Sequence, residues 1–235
     1  MKIGILGALE QEIQLIQKKM QCLQIHQIGQ LTFITGSVVN LSQVTHDVIL
    51  VRCGVGKVAA AVAATALIMH FQPDAIVNTG SAGGFDTSLD IGDILIASHV
   101  THYDVDVTEL GFELGQVYNM PAHYVCDTKL VNAAKLAAQT LKHVYKQGLI
   151  CTGDAFIGSD EQATQLAAQF PDIAAVEMEG AAIGQTCFTL NIPFVVIRSL
   201  SDIAGKTSTV SFKTYLETAG KHSAELVLAM LNHLD

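Results

Sequence analysis

The stretch IAAVEMEGAAIGQTCFTLN, residues 173–191, predicts a strand, IAAVEME, that runs directly into a helix, GAAIGQTCFTLN. A strand followed at once by a helix is the repeating unit of α/β folds. Glu177 and Glu179 stand in this otherwise apolar run. A carboxylate removed from water is costly unless it has a partner. The stretch therefore predicts both an α/β fold and a need for groups that pair with these acids.

The same alternation of strand and helix recurs on both sides of this stretch. The further predicted strands are KIGILGAL (2–9), HDVILVRCG (46–54), DAIVNTGSAGG (74–84, ending in a glycine-rich turn), GDILIASHV (92–100), YKQGLICTGDAF (145–156) and PFVVIRSLSD (193–202). The further predicted helices span 10–20, 57–71, 160–170 and 211–234. Continuous apolar strands separated by helices predict a mostly parallel sheet covered on both faces. We expect one domain over residues 1–235.

The composition argues against several classes of function. Half of the 235 residues are hydrophobic and only 15% are charged, which favours a large core and apolar surface for a partner subunit. The formal net charge is -9 and the 13 lysines and arginines form no cluster, so we expect no nucleic-acid binding. The apolar run Val58–Met69 is too short to span a bilayer, and the N-terminus predicts a first strand rather than a signal peptide.

The cysteines and histidines predict neither disulfides nor a metal centre. The five cysteines include no CxxC pair and are odd in number, which favours free thiols and a cytoplasmic location. His99 and His102 are three residues apart, and His102 is close to Asp104 and Asp106, but no further ligands at a typical spacing accompany them. We expect no metal and no cofactor.

Polar side chains accumulate where the predicted strands end, which is where ligands bind in open α/β sheets. That edge carries the acids Glu10, Glu12, Glu179 and Asp202, the hydroxyls of Ser81 and Ser201, the ring of Phe156, and Ala82, Gly83, Gly84, Ile157 and Met178. Each has a structural explanation when taken alone: Glu12 is also typical of a first helical turn, and Asp202 of an N-cap. Their convergence predicts a functional site.

Six motifs in order, GALEQEI (7–13), CGVGKVAAA (53–61), NTGSAGG (78–84), GDAFI (153–157), VEMEGAAI (176–183) and RSLSD (198–202), together resemble the 5'-methylthioadenosine/S-adenosylhomocysteine nucleosidases of the purine nucleoside phosphorylase superfamily. The resemblance implies a central mixed, twisted, barrel-like β-sheet flanked by α-helices, in a homodimer. It also implies hydrolysis of the N-glycosidic bond of 5'-methylthioadenosine, S-adenosylhomocysteine and 5'-deoxyadenosine, which serves methionine salvage and the recycling of S-adenosylmethionine by-products.

The resemblance further implies roles for residues of this chain. Glu12 is similar to the general base that activates water, Asp202 to the acid that protonates purine N7, and Glu179 to the acceptor for the ribose hydroxyls. The implied substrate-binding residues are Ser81, Ala82, Gly83, Arg198 and Ser201 around these acids, Phe156 and Ile157 at adenine, Met178 beneath the sugar, and Leu9, Val55 and Phe212 on the 5' side, with Val107, Leu110 and Tyr118 supplied by the partner subunit.

The implied chemistry requires these residue types. Adenine leaves readily only once N7 is protonated, and the sugar then becomes oxocarbenium-like, so an inverting reaction needs an acid and a base on opposite faces. Asp202 must hold a proton near neutral pH, so we expect its pKa to be raised by an apolar pocket. Glu177 is expected to point away from the site, because adjacent side chains of a strand alternate.

Two other functions remain open on this evidence. A phosphorylase needs cationic clamps for phosphate, yet the chain has only Arg52 and Arg198, and Asn78 stands where an arginine is common in phosphorylases. A non-catalytic adenosine-binding protein would have no need for both Glu12 and Asp202. The N-terminal acids and the shortage of arginine favour water as the nucleophile.

The segment of residues 102–121 has neither a helical nor a strand period, yet it is more apolar than an ordinary surface loop. It either folds over its own core or, as the resemblance favours, lies at a dimer interface and closes the partner's 5' pocket. Leu9 and Leu110 differ from residues that are common in the family. The ranking of methylthioadenosine, S-adenosylhomocysteine, 5'-deoxyadenosine and aminodeoxyfutalosine, the last in a menaquinone route, therefore stays open.

Overall fold

The computed structural model describes residues 1–204 and 208–234. The strands are β1 (Lys2–Gly7), β2 (Gln21–Ile28), β3 (Leu31–Val39), β4 (Thr45–Arg52), β5 (Ala75–Gly84), β6 (Ile94–His102), β7 (Tyr124–Val125), β8 (Tyr145–Thr152), β9 (Ile173–Glu177) and β10 (Phe194–Ile203). The helices are α1 (Glu10–Lys19), α2 (Lys57–Phe71), α3 (Thr128–Leu141), α4 (Asp160–Gln169), α5 (Gly180–Leu190) and α6 (Ser208–Met230). Short 3₁₀ turns span Thr108–Leu110 and Leu231–His233.

All ten strands belong to one mixed sheet, part of which closes on itself. β5, β10, β6, β8 and β9 form a ring, because β9 pairs back onto β5. β1, β4, β3 and β2 extend the sheet outward from β5. The β9–β5 and β10–β6 pairs are antiparallel, whereas β5–β10, β6–β8 and β8–β9 are parallel. The mixed, barrel-like sheet that the resemblance implied is confirmed, and the prediction of a mostly parallel sheet is only partly right.

β5 has two successive neighbours along one of its edges. Its first half pairs with β1 as far as Leu6 opposite Asn78. Its end pairs with β9, where Gly83 is opposite Val176. Between these two contacts, no strand of the described chain pairs with this edge of β5. The divergence of two strands from a common neighbour opens a crevice, and such crevices are where α/β sheets bind ligands.

The glycine-rich end of β5 is a strand and not the predicted turn. A Cβ at Gly80 would lie 2.8 Å from Oε1 of Glu12 and would also strike the guanidinium of Arg198. A Cβ at Gly84 would lie 2.7 Å from the side chain of Leu200. Glycines are present because buried side chains cross the strand there, and not because the chain reverses direction.

The helices cover the sheet as the alternating pattern requires. α6 packs against α1, α3, β5 and β10, while α2 packs against α5. The core includes the fully buried side chains of Ile3, Ile5 and Leu6 in β1 and of Val195, Val196 and Ile197 in β10. Burial of each such side chain contributes roughly 1.5–3 kcal/mol. None of the helices among the described residues has both the length and the apolar character needed to cross a bilayer.

Candidate active site

A pocket occupies the crevice beside β5. Its walls are formed by Ala8, Leu9, Glu12, Val55, Ser81, Ala82, Gly83, Phe156, Val176, Glu177, Met178, Glu179, Ser201, Asp202 and Phe212. At about 90 Å³ it is smaller than other grooves on the protein, one of which reaches about 500 Å³. It nevertheless collects four carboxylates, which no other groove described here does. Of the residues of this chain that were predicted at the site, Glu10, Gly84, Ile157 and Arg198 do not line it. Ala8, Val176 and Glu177 line it without having been predicted.

Glu12 is held by four hydrogen bonds. Its Oε2 accepts from the backbone N–H groups of Ala8 (2.8 Å) and Leu9 (3.0 Å) at the start of α1. Its Oε1 accepts from the backbone N–H (3.0 Å) and the hydroxyl (3.1 Å) of Ser81 in β5. Glu12 is therefore a first-turn helix acid and also part of the pocket. The three backbone donors are fixed, whereas the Ser81 hydroxyl can rotate away from Glu12. A water molecule can then donate to Oε1 in place of that hydroxyl.

A β-bulge brings two neighbouring polar side chains of β10 to the pocket. Leu200 pairs with Ala82 and Asp202 pairs with Gly83, so Ser201 is the extra residue. A bulge re-aims side chains that strict alternation would send to opposite faces. Ser201 Oγ donates to Asp202 Oδ1 at 2.8 Å, and both residues are buried. A Cβ at position 83 would lie 3.2 Å from Asp202 Oδ2, so the bare backbone makes room for this carboxyl.

Glu179 lies just beyond β9, at the N-cap position of α5, and is 5% exposed. Its Oε1 accepts from the N–H of Gly56 at 3.0 Å, and its Oε2 lies 3.5 Å from Arg198 Nη2. Gly56 adopts a φ of +98°, a conformation that favours glycine. Burial, followed by repulsion from Glu177, raises the pKa of Glu179 to about 8 against the opposing pull of Arg198. This carboxyl therefore holds its proton more tightly than an ordinary glutamic acid does.

The expectation that Glu177 points away from the site is wrong. Its Oε2 accepts from the N–H groups of Glu179 (3.0 Å) and Gly180 (2.8 Å) and pairs with Arg198, while its Oε1 accepts from the hydroxyl of Thr152. Alternation gave no reason for that expectation, because side chains two residues apart, such as those of Glu177 and Glu179, share a face of a strand, and β9 in any case ends at Glu177. The fully apolar setting of Glu177 was the signal in the sequence that it needs buried partners.

Arg198 lies behind the carboxylates and does not line the pocket. It is fully buried, and its Nη2 donates to Asn78 Oδ1 at 2.7 Å in addition to Glu177. Asn78 also donates from its Nδ2 to the carbonyl of Leu6 at 3.1 Å. Its oxygen thus accepts from a guanidinium that is already paired with a carboxylate. This buried cation is therefore committed to neighbouring side chains.

An aromatic corner completes the pocket. The rings of Phe156 and Phe212 have centroids 5.7 Å apart and meet edge to face. Phe156 is 42% exposed and Val55 is 50% exposed, so apolar surface lines the rim. Ile157 instead belongs to a separate apolar cluster that also contains Val176. Flat apolar surface next to carboxylates suits a ligand with a heteroaromatic ring at one end and hydroxyls at the other.

The residues predicted to come from a partner subunit lie outside this pocket. Leu110 is 63% exposed and Tyr118 is 57% exposed, and both belong to the irregular segment after β6. That segment, α2 and α5 together line an open, mainly apolar groove of about 500 Å³. Val58 and Met69 of α2 are also largely exposed. The irregular segment after β6 and the neighbouring helix α2 thus both expose apolar side chains to solvent.

Comparison with known proteins identifies the relatives of this chain. The phosphorylase superfamily model matches residues 2–232. The 5'-methylthioadenosine/S-adenosylhomocysteine nucleosidase of Pseudoalteromonas translucida is 49% identical over 235 residues, which cover 100% of this chain and 98% of that protein. The crystal structure of such a nucleosidase from Colwellia psychrerythraea, in complex with adenine, has a TM-score of 0.95 at 48% identity and covers 100% and 96% of the two chains. The futalosine hydrolase of Helicobacter pylori, at 30% identity with 99% and 98% covered, has a TM-score of 0.92.

Proposed function

The chain belongs to the 5'-methylthioadenosine/S-adenosylhomocysteine nucleosidases of the phosphorylase superfamily, and from this premise we propose how its pocket releases adenine. The protein is an N-glycosidic hydrolase that cleaves 5'-methylthioadenosine and S-adenosylhomocysteine to adenine and the 5-substituted ribose. The observation that carries the proposed mechanism is the convergence of Glu12, Glu179 and Asp202 on one pocket. Each of these acids has a different set of hydrogen-bond donors, and each takes a different role.

Asp202 acts as the general acid. Ser201 donates to Oδ1, and in this mechanism Oδ2 carries the proton that is transferred. Transfer of this proton to N7 of the purine lets the electrons of the C1'–N9 bond move onto adenine, which leaves as a neutral base. Phe156 and Phe212 offer the apolar surface against which the purine packs.

Glu12 acts as the general base. A water molecule takes the position on Oε1 that the Ser81 hydroxyl can vacate, and the backbone N–H donors hold the carboxylate in place. The water attacks C1' of the oxocarbenium-like sugar on the face opposite to the departing adenine. Its proton passes to Glu12.

Glu179 binds the ribose. Its oxygens have one close protein donor, the N–H of Gly56, and a more distant one in Arg198. They can therefore accept from the 2'- and 3'-hydroxyls. The ribose hydroxyls, as donors, favour the ionised form of Glu179. Binding of the sugar therefore lowers the pKa of Glu179, which burial raises in the free protein. Met178 lies next to this acid on the pocket wall, beneath the sugar.

Water is favoured over phosphate as the nucleophile because of the charges around the crevice. The Ser81 backbone N–H, a donor that an anion would need, already binds Glu12. Arg198, the cation behind the pocket, is paired with Glu177. A phosphate ion would meet acceptors rather than donors, and like charges repel. An aminodeoxyfutalosine nucleosidase shares this chemistry and remains a substrate alternative, with less support because the futalosine hydrolase is the more distant relative.

We place two copies of the chain in a homodimer with shared active sites. The exposed Leu110 and Tyr118, and the apolar groove beside them, support an interface at this surface. Val107, Leu110 and Tyr118 of one copy would close the 5' side of the other copy's pocket, where Leu9 and Val55 lie. The free cysteines favour a cytoplasmic enzyme.

Measurement of free adenine from 5'-methylthioadenosine, with and without phosphate, tests the activity. A hydrolase gives adenine and the free 5-methylthioribose at the same rate in both cases. A phosphate requirement together with a sugar phosphate product would establish a phosphorylase instead. Binding without release would leave the chain as a nucleoside-binding protein.

A further inference from the structure

Glu177 has no part in the chemistry above, yet it accepts four hydrogen bonds, as many as Glu12. Its two oxygens receive two backbone N–H groups of the α5 start, the hydroxyl of Thr152 and the guanidinium of Arg198. The side chains of Glu177 and Arg198 are almost completely removed from solvent. Glu177 therefore has about as many donors as a carboxylate has acceptor positions, three on Oε2 and one, the Thr152 hydroxyl, on Oε1.

Two carboxylates, those of Glu177 and Glu179, lie within reach of the Arg198 guanidinium. It makes its close contact with Glu177 and lies 3.5 Å from Glu179 Oε2. A buried guanidinium needs a carboxylate partner, and it can pair with one through two parallel hydrogen bonds. If Arg198 paired in this way with Glu179, it would take the oxygens that the ribose hydroxyls need.

We propose that Glu177 is a positioning residue that holds Arg198 away from Glu179 and thereby leaves the Glu179 carboxylate to the ribose. The proposal rests on the proposed function, because it presumes that Glu179 accepts from the sugar. It differs from a purely structural role, in which Glu177 would only cap α5 and fill the core.

Glu177→Gln separates these two roles. The amide oxygen can accept from the N–H groups of Glu179 and Gly180, and the amide nitrogen can donate to the Thr152 hydroxyl. The cap of α5 is therefore preserved while the negative charge is lost. Glu179 is then the nearest carboxylate for Arg198 among the described residues.

The measurement is kcat/KM for 5'-methylthioadenosine and for its 2'-deoxy analogue, with adenine affinity as a control for the purine end of the pocket. We expect the ratio of kcat/KM for the ribo substrate to that for the 2'-deoxy analogue to fall by about tenfold or more in Glu177→Gln, because the hydrogen bonds from the ribose hydroxyls to Glu179 are lost. The loss should lie mainly in KM of the ribo substrate, with adenine affinity unchanged. A folded Glu177→Gln protein that keeps the wild-type ribo preference overturns the proposal.

The double variant Glu177→Gln with Arg198→Gln covers the case in which the single variant does not fold, since it leaves neither charge of the pair unpaired. Without a guanidinium to compete for Glu179, the double variant should keep the ribo preference. Loss of that preference in the double variant overturns the proposal. A failure of the proposed function shows elsewhere: wild type would then lack the ribo preference, or Glu179→Gln would not reduce it, whatever residue stands at position 177.

Discussion

Replacement of Glu12 by glutamine keeps the shape of the side chain and exchanges one acceptor oxygen for a donor. In the structure, Oε2 receives the backbone N–H groups of Ala8 and Leu9, and Oε1 receives the backbone N–H and the hydroxyl of Ser81. An amide nitrogen at Oε2 would face two N–H groups. At Oε1 it would face only one, because the hydroxyl can turn and accept. The second orientation is therefore preferred, and it leaves one buried N–H without an acceptor.

That unsatisfied group sets the cost in stability. A buried donor without a partner costs about 1–3 kcal/mol. For a chain of this size, 1 kcal/mol lowers Tm by about 2–4 °C, so Glu12→Gln should melt roughly 2–12 °C below wild type. Turnover should fall much further, by about 10²–10⁴-fold, because glutamine cannot accept the proton of the attacking water. Binding of the nucleoside should persist, since neither adenine nor ribose is bound through Glu12 in the proposed mechanism.

Glu10→Gln is the matched control. Glu10 lies in the same first turn of α1, but it faces solvent and has only a 3.8 Å ion pair with Arg52, both side chains being more than half exposed. Exposed pairs of this kind contribute about 0–1 kcal/mol, so turnover and Tm should stay close to wild type. Adenine release, calorimetry with the nucleoside and thermal unfolding are measured for both variants. Near-wild-type turnover in a folded Glu12→Gln protein would refute the role of Glu12 as the base.

Asp202→Asn should lower turnover by about 10²–10⁴-fold with little change in Tm, because the amide cannot donate the acid's proton; rapid adenine release by this variant would contradict the assignment. Glu179→Gln should weaken the ribo substrate far more than its 2'-deoxy analogue, and equal losses in kcat/KM would exclude contact with the 2'-hydroxyl. The pKa of Glu179 is raised from 4.5 to about 8, so its stabilising contribution is complete below 4.5 and is lost as the pH rises through 8. The free energy of unfolding, measured with denaturant at pH 5 and pH 8, should fall more over this interval in wild type than in Glu179→Gln, and equal slopes would contradict the raised pKa. Leu110→Asp should loosen the proposed dimer in sedimentation and raise KM for methylthioadenosine. Leu41→Asp, at a leucine that is 83% exposed outside the groove, should do neither, and an unchanged association state and KM for Leu110→Asp would reject the shared site.

Local sequence patterns correctly predicted the strands and helices whose apolar residues form an uninterrupted run. The strand of β1 and the helix over residues 57–71 are confirmed, because their apolar residues follow one another without interruption. The hairpin of β2 and β3 was missed, since most side chains of β2 are exposed and give no apolar run. α3 was also missed, although Asp127 accepts from two N–H groups at its start and is a typical N-cap. Closure of the ring depends on pairs distant in sequence, such as Gly83 with Val176, for which no local pattern exists.

The site was predicted by its polar residues at strand ends more than by any single motif. Strict alternation failed at Ser201, where a bulge adds a residue, whereas at Glu177 it was misapplied, because residues 177 and 179 would share a face of a strand. The position of Arg198 behind the pocket was not predictable, because nothing local to RSLSD shows which carboxylate its guanidinium reaches. The predicted helix over residues 211–234 begins earlier, at Ser208, and Phe212 on it does reach the pocket.

The two acids of the stretch 173–191 differ in how completely the protein satisfies them. Glu177 receives four donors, three of them on Oε2, so it holds the guanidinium of Arg198 and the start of α5. Glu179 receives one close N–H, and burial followed by repulsion from Glu177 raises its pKa. A ribose supplies two hydroxyls where the protein supplies too few donors. In the proposed mechanism the substrate relieves the unfavourable burial of Glu179, and the same carboxylate without its ligand should be the least stable part of the site.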